Sequence, residues 1–104
     1  MNQTANRLRG EAQFEIDGRT FLLRPSFENL VLAEEELGSL FALVERAAEG
    51  KITLAEVSGL IWHCIQAEPR PERQAVGRAV LRMGLVAATR PVRAILSQVL
   101  QGQG

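Results

Sequence analysis

Tyrosine is absent from this chain, cysteine, histidine and tryptophan occur once each, and aromatic residues make up 5% of its 104 residues. A lone cysteine, Cys64, cannot close an internal disulfide, so the fold is not a cystine-stapled scaffold. With one histidine and one cysteine, a zinc site lacks ligands. His63 and Cys64 are adjacent, and neighbours on a helix point about 100° apart, so they cannot share a metal or a proton in cis. Helical phasing puts Cys64 in the core as a thiol and His63 on a solvated polar face beside Glu56. No apolar run is long enough to cross a membrane. No charged start followed by an apolar stretch marks a secretory leader, and a cytoplasmic, reducing setting is the expectation. There is no G-x-G-x-x-G or Walker pattern after a strand. The glutamates 34 to 36 have no matching nucleophile or acid elsewhere. Neither an enzyme nor a cofactor nor a metal is expected.

What is present is enough apolar residue, 46%, for one core without a disulfide or a metal. Formal net charge is zero, but the charges are segregated. Residues 25 to 68 carry Glu28, Glu34, Glu35, Glu36, Glu45, Glu49, Glu56 and Glu68 against Arg46 and Lys51, a net −6. Beyond Glu72 stand Arg73, Arg78, Arg82, Arg90 and Arg93 with no acid, a net +5. The halves either pair with each other and with solvent or present a basic face to a partner.

Along the chain, residues 1 to 9 read as a loose tail and 10 to 100 as a single α+β domain, with a second tail at 101 to 104. Ala12, Phe14 and Ile16 alternate with polar residues up to Asp17-Gly18. The run Arg19 to Arg24 follows, so residues 10 to 24 read as a hairpin on a type I′ turn. A hairpin is barely stable alone, so a bundle of four to five short helices over 27 to 100 must cover one face, or another subunit must extend it.

Ser26 caps the first helix, whose inward side gathers Phe27, Leu30, Val31, Ala33 and Leu37, and Gly38 stops it. Glu34 is the misfit on that side. Either it sits at a rim, bonding an arginine or a neighbouring helix N-terminus, or it is a partner-binding carboxylate; a contact to Arg78 or Arg82 is the first expectation. Glu28, Glu35 and Glu36 face out. Ser39 caps a second helix to Gly50, with Phe41 on its flank. Thr53 and Glu56 form a capping box that opens a third, running to about Ala67, with Leu54, Val57, Leu60, Ile61, Cys64 and Ile65 inward and Trp62 at the edge. After Glu68-Pro69-Arg70-Pro71, a fourth helix is expected from Glu72 to about Ala88, its core side Val76, Ala79, Val80, Met83, Val86 and Ala87. Gly77 and Gly84 suggest a close approach by another element. A last helix starts at Thr89 or Arg90 with Pro91.

The two C-terminal helices evoke a helix-turn-helix, but Val92, Arg93, Ile95, Leu96 and Val99 offer almost nothing that reads bases, and the domain is neutral, so nucleic acid is not the expected ligand.

Several stretches resemble a small gene transfer agent and tailed-phage family encoded beside the major tail protein. Its members begin with an N-R-x-R-G-E-like segment, here Asn6-Arg7-Leu8-Arg9-Gly10-Glu11, and continue with a strand ending in D-G, here Asp17-Gly18, and a second ending near Leu23-Arg24. A helix then carries leucine, paired glutamates and L-G-S-L, here Leu30, Glu34, Glu35, Leu37, Gly38, Ser39 and Leu40, and an I-T-L-x-E-V-like start occupies Ile52 to Val57. The likeness runs from Asn6 to Ile65 and is loose after Pro69. The family is described both as a tail tube protein and as a tail assembly chaperone. The resemblance implies a non-enzymatic tail morphogenesis protein, expected to be a chaperone that binds the tape measure protein, with the major tail protein as a second partner and a homo-oligomer possible. The alternatives are a structural tube component and a small DNA-binding helical domain. On the chaperone reading, Leu32, Phe41, Trp62 and Leu85, flanked by Arg78 and Arg82, grip helical client segments, with Glu34 as a candidate contact.

Overall fold

The computed structural model describes residues 12–101. The tail expected at 1 to 9, and Gly10 and Glu11 of the hairpin, lie outside them. Of the C-terminal tail only Gln101 is described, and it closes the last helix. The order is β1 (Ala12–Ile16), β2 (Arg19–Leu23), α1 (Phe27–Leu37), α2 (Leu40–Ala48), α3 (Leu54–Cys64), β3 (Ile65–Gln66), α4 (Arg73–Met83) and α5 (Leu85–Gln101). An α+β fold with an N-terminal hairpin is therefore observed.

The hairpin turns on two residues, Asp17 and Gly18, both at positive φ (50° and 81°), and Ile16 pairs with Arg19. That is the type I′ geometry, whose twist matches the strands it joins. Phe14 lies opposite Phe21 and Ala12 opposite Leu23, and Phe14, Ile16, Phe21 and Leu23 enter the core. The sheet has a third strand that the sequence reading placed at the end of α3. Helix α3 stops at Cys64, and Ile65 and Gln66 pair antiparallel with Leu23 and Leu22. The Arg24 amide donates to the Cys64 carbonyl at 2.7 Å, so the sheet takes up a carbonyl freed at the helix end. A β-branched, buried isoleucine suits that place better than one more helical turn.

Helix α3 is the centre of the bundle: Val57, Gly59, Leu60, Ile61, His63 and Cys64 are buried on it, and α1, α4 and α5 all pack against it. The capping box is present, with the Glu56 amide donating to Thr53 Oγ1 and the Thr53 amide to Glu56 Oε1. Ser26 and Ser39 accept from the amides of Asn29 and Ala42, as N-caps do. Helix α1 buries only a narrow stripe: Ala33 is fully buried, and Leu30 and Leu37 are packed against the core. Phe27, expected inside, is 77% exposed, and Val31 also faces out. Their phase lies beyond the stripe of Leu30, Ala33 and Leu37 that packs on the core. The close approach occurs at Gly59, where a Cβ would stand 3.2 Å from Leu37 Cδ2. It does not occur at Gly77 or Gly84, where a Cβ would meet nothing within 4 Å.

The break between the last two helices falls at Gly84, not at Pro91. Gly84 adopts φ 92°, a left-handed conformation that ends α4, while Pro91 lies buried inside α5. A proline in a helix interior forgoes one backbone hydrogen bond. Burying Pro91 beside Ala88, Val92, Ile95 and Leu96 keeps the helix running through it. Moving the break re-phases the flanks. Val76, Ala79 and Val80 are buried as expected, but Met83 is half out and Val86 is 86% exposed.

Candidate functional site

The most concentrated polar chemistry sits where α1, α3 and α4 meet. Glu36, expected to face solvent, turns toward α4. Arg73 grips its carboxylate in a two-pronged pair, Nη1 donating to Oε2 at 2.7 Å and Nη2 to Oε1. His63 Nε2 lies 2.8 Å from Glu36 Oε1. A carboxylate can only accept, so Nε2 carries the proton and donates. In the neutral ring Nδ1 is then the lone-pair nitrogen, buried with no partner among the described residues. His63 is thus 7% exposed and bonded to α1, not solvated beside Glu56. Glu56 instead completes its capping box and pairs with Arg46. The hydrogen bonds from Arg73 and then from His63 outweigh desolvation and hold the Glu36 carboxyl down at about 2.

Trp62 closes the same junction. Its indole N–H donates to the Pro71 carbonyl at 2.9 Å, its ring meets His63 edge-on at 4.9 Å, and the guanidinium carbons of Arg70 and Arg73 lie 4.7 and 4.6 Å from its centroid. Both cations sit within the range of a cation–π contact. The junction therefore fastens three helices and leaves little of Trp62 for a partner. Cys64, next in sequence, is fully buried, and burial pushes its thiol up to about 12 despite the nearby Arg70, so it is protonated and unreactive at neutral pH.

The residues singled out from the sequence do not form one cluster. Glu34 accepts from the Leu40 amide at 3.1 Å, capping the start of α2; it does not meet Arg78 or Arg82. Arg82 reaches instead across the hairpin turn to Asp17 Oδ1 at 3.2 Å. Together they wall a shallow cleft of about 290 Å³ lined by Glu15, Asp17, Gly18, Ala79, Arg82 and Met83. Arg78 is exposed with no partner among the described residues. Leu32 is 48% exposed one turn before Glu36, Phe41 is 61% exposed near the start of α2, and Leu85 is 43% exposed just after the Gly84 break.

Two further apolar side chains are more exposed than these: Leu81, and Val86, which was expected on the core side of the fourth helix. Leu81 at 66% stands on the outer face of α4, in line with Gln74 and Arg78 at helical spacing. Val86 opens the outer face of α5, which continues through Arg90, Arg93 and Ser97 to Leu100. The signal for Leu81 was its phase opposite Val76 and Val80. Val86 needed the break at Gly84 to be known. Among the described residues no group of histidine, cysteine or carboxylate side chains could hold a metal, and no helix is long and apolar enough to cross a membrane.

The family model described as phage tail tube protein, GTA-gp10, matches residues 9–102. The chain belongs to that family. As a GTA-gp10-type tail protein it is a component of the tail system of phages and gene transfer agents, and the match extends well past Ile65, where the motif resemblance stopped, through the arginine-rich helices. No curated protein and no solved structure matches the chain. The surfaces of this tail protein carry a cross-helix clasp around Glu36 and helix faces on which exposed apolar residues alternate with charge.

Proposed function

We propose that this tail protein acts in the cytoplasm of the producing cell as an assembly chaperone that holds helical segments of the tape measure protein while the tail is built. The observation that carries the reading is the outer face of α4 and its continuation past Gly84. There Leu81 and Leu85 stand exposed beside Arg78 and Arg82, in a segment without a single acid. An amphipathic helix with an apolar stripe and an acidic margin is the natural ligand for such a face. Arg82 is partly engaged by Asp17 in an exposed pair, which holds it weakly enough to be exchanged. Trp62, first counted among the gripping residues, is occupied by Pro71, Arg70 and Arg73 and plays no part.

Co-expression with the tape measure protein tests this. The tape measure should stay soluble and co-purify with the wild-type chain, and should do neither with Leu81→Glu combined with Arg78→Glu, two exposed positions at which an unchanged thermal midpoint shows that the variant is folded. Equal solubility without the chain, or a failure to co-purify, rejects the chaperone role. A second reading, a structural part of the tube, is favoured by the family description itself. Against it, the described residues supply two five-residue strands and one of two residues, little sheet from which to build a tube wall. Mass spectrometry of finished particles separates the two, since a tube subunit is present at many copies per particle and a chaperone is absent.

A further inference from the structure

Two faces of this molecule complement each other, yet they cannot meet within one chain. On α1, Phe27 at 77% exposure and Val31 at 36% lie one turn apart, bordered by the exposed carboxylates of Glu28 and Glu35. On α5, Val86 at 86% and Leu100 at 49% border Arg90 and Arg93, which have no ionic partner among the described residues. Both helices pack against α3. Phe27 and Val31 lie on the side of α1 away from Glu36, which is the residue that turns toward α4. The acidic apolar face and the basic apolar face are therefore both turned outward from the same central helix.

We infer that the α1 face of one copy docks on the α5 face of a second copy, Phe27 and Val31 against Val86, with Glu28 and Glu35 against Arg90 and Arg93. Sign and chemistry select this occupant: residues 25 to 68 carry a net −6 and the stretch beyond Glu72 a net +5, and each face is matched by one on the same chain. Two copies of α1, or two of α5, would set like charges against each other, so every contact joins an α1 face to an α5 face. Two copies that engage both pairs of faces at once close a two-fold dimer; copies that engage one pair at a time keep one face of each kind free and add on until a ring closes or a filament forms. None of these residues figures in the face proposed for the tape measure, so either reading can fail without the other.

Charge reversal tests it. Wild-type protein in low salt, followed by sedimentation velocity over a range of concentrations, should associate into a dimer or larger species, and high salt should reverse this. Glu28→Arg with Glu35→Arg, and separately Arg90→Glu with Arg93→Glu, should each raise the concentration needed for assembly on the order of tenfold or more. All four positions are exposed, and an unchanged thermal midpoint shows that each variant is folded. Mixing the two variants restores opposite charges at every contact, so the mixture should assemble where neither does alone. Recovery on mixing cannot come from misfolding. A wild-type chain that stays monomeric, variants that assemble as the wild type does, or a mixture that stays dispersed each overturns the inference.

Discussion

Replacing Glu36 by glutamine isolates the clasp that joins α1, α3 and α4. The substitution keeps the shape and leaves an amide oxygen to accept from His63, but it removes the charge that Arg73 grips. Both partners are partly in water, the side chains of Glu36 and Arg73 being 39% and 44% exposed. Solvent screening therefore keeps the loss near the top of the range for surface pairs, about 1 kcal/mol, with the two-pronged geometry arguing against less. In a chain of this size that corresponds to roughly 4–8 °C in thermal midpoint.

The pH dependence fixes the cause. Glu36 titrates at about 2 in the folded protein against 4.5 ordinarily, so between those values the unfolded chain binds the extra proton. Its contribution is then complete above about 4.5 and disappears as the pH falls toward about 2. Urea unfolding of wild type and Glu36→Gln should give curves about 1 kcal/mol apart at neutral pH that converge on acidification. Glu56 is also held below the usual carboxylate range, burial raising it but the Thr53 amide and hydroxyl and Arg46 outweighing that, and it cancels in the comparison because both proteins keep it. A double-mutant cycle with Arg73→Gln should return a coupling of about 0.5–1 kcal/mol. A difference that stays constant from neutral to acid pH, or a coupling of zero, refutes the clasp as an energetic feature.

Two glycines in the C-terminal half should respond in opposite directions to alanine. Gly77→Ala adds a methyl into open space inside a helix and should stabilise by about 0.5–1 kcal/mol, whereas Gly84→Ala forces a side chain into φ 92° and should cost about 1 kcal/mol or more; denaturant midpoints of the two variants decide it. Cys64, fully buried with its thiol held at about 12, should resist alkylation in the native protein at neutral pH and react at once in denaturant, as mass spectrometry of quenched samples would report.

Local signals carried most of the fold. Caps at Ser26, Ser39 and Thr53, the Asp17-Gly18 turn and the stop at Gly38 each depend on a few neighbouring residues, and each is found where the sequence puts it. What failed was information held by residues far apart. Whether Ile65 continues a helix or joins a sheet depends on Leu23 being free to pair with it, forty-odd residues upstream. Whether Gly84 or Pro91 breaks the last helices depends on what buries Pro91. The same holds for the surface. Glu36 looked solvated because its phase on α1 is polar, and nothing local indicates that Arg73 lies across from it. Glu34, by contrast, takes one of the two rim partners the sequence offers it, the N-terminus of the neighbouring helix, because the Leu40 amide it accepts from is close along the chain.

The charge segregation is where sequence and structure bear jointly on function. Had the acidic and basic halves evolved to neutralise each other, the fold would stitch them together with ion pairs. Among the described residues one such pair joins them, Glu36 with Arg73; Arg46–Glu56 lies within the acidic stretch, and Arg82 turns to Asp17 in the hairpin. Arg78, Arg90 and Arg93 are left on outer helix faces beside Leu81, Val86 and Leu100. Exposed pairs contribute little to stability, so the fold loses little by leaving these charges apart. Opposite charges held on separate faces of a neutral protein do more for encounter and alignment than for folding, because they act over distances of about a Debye length, ~8–10 Å at moderate salt. On the assembly role proposed above, the protein has to meet partners in a fixed orientation, and a dipolar surface with apolar anchors inside each charged field supplies both the steering and the contact.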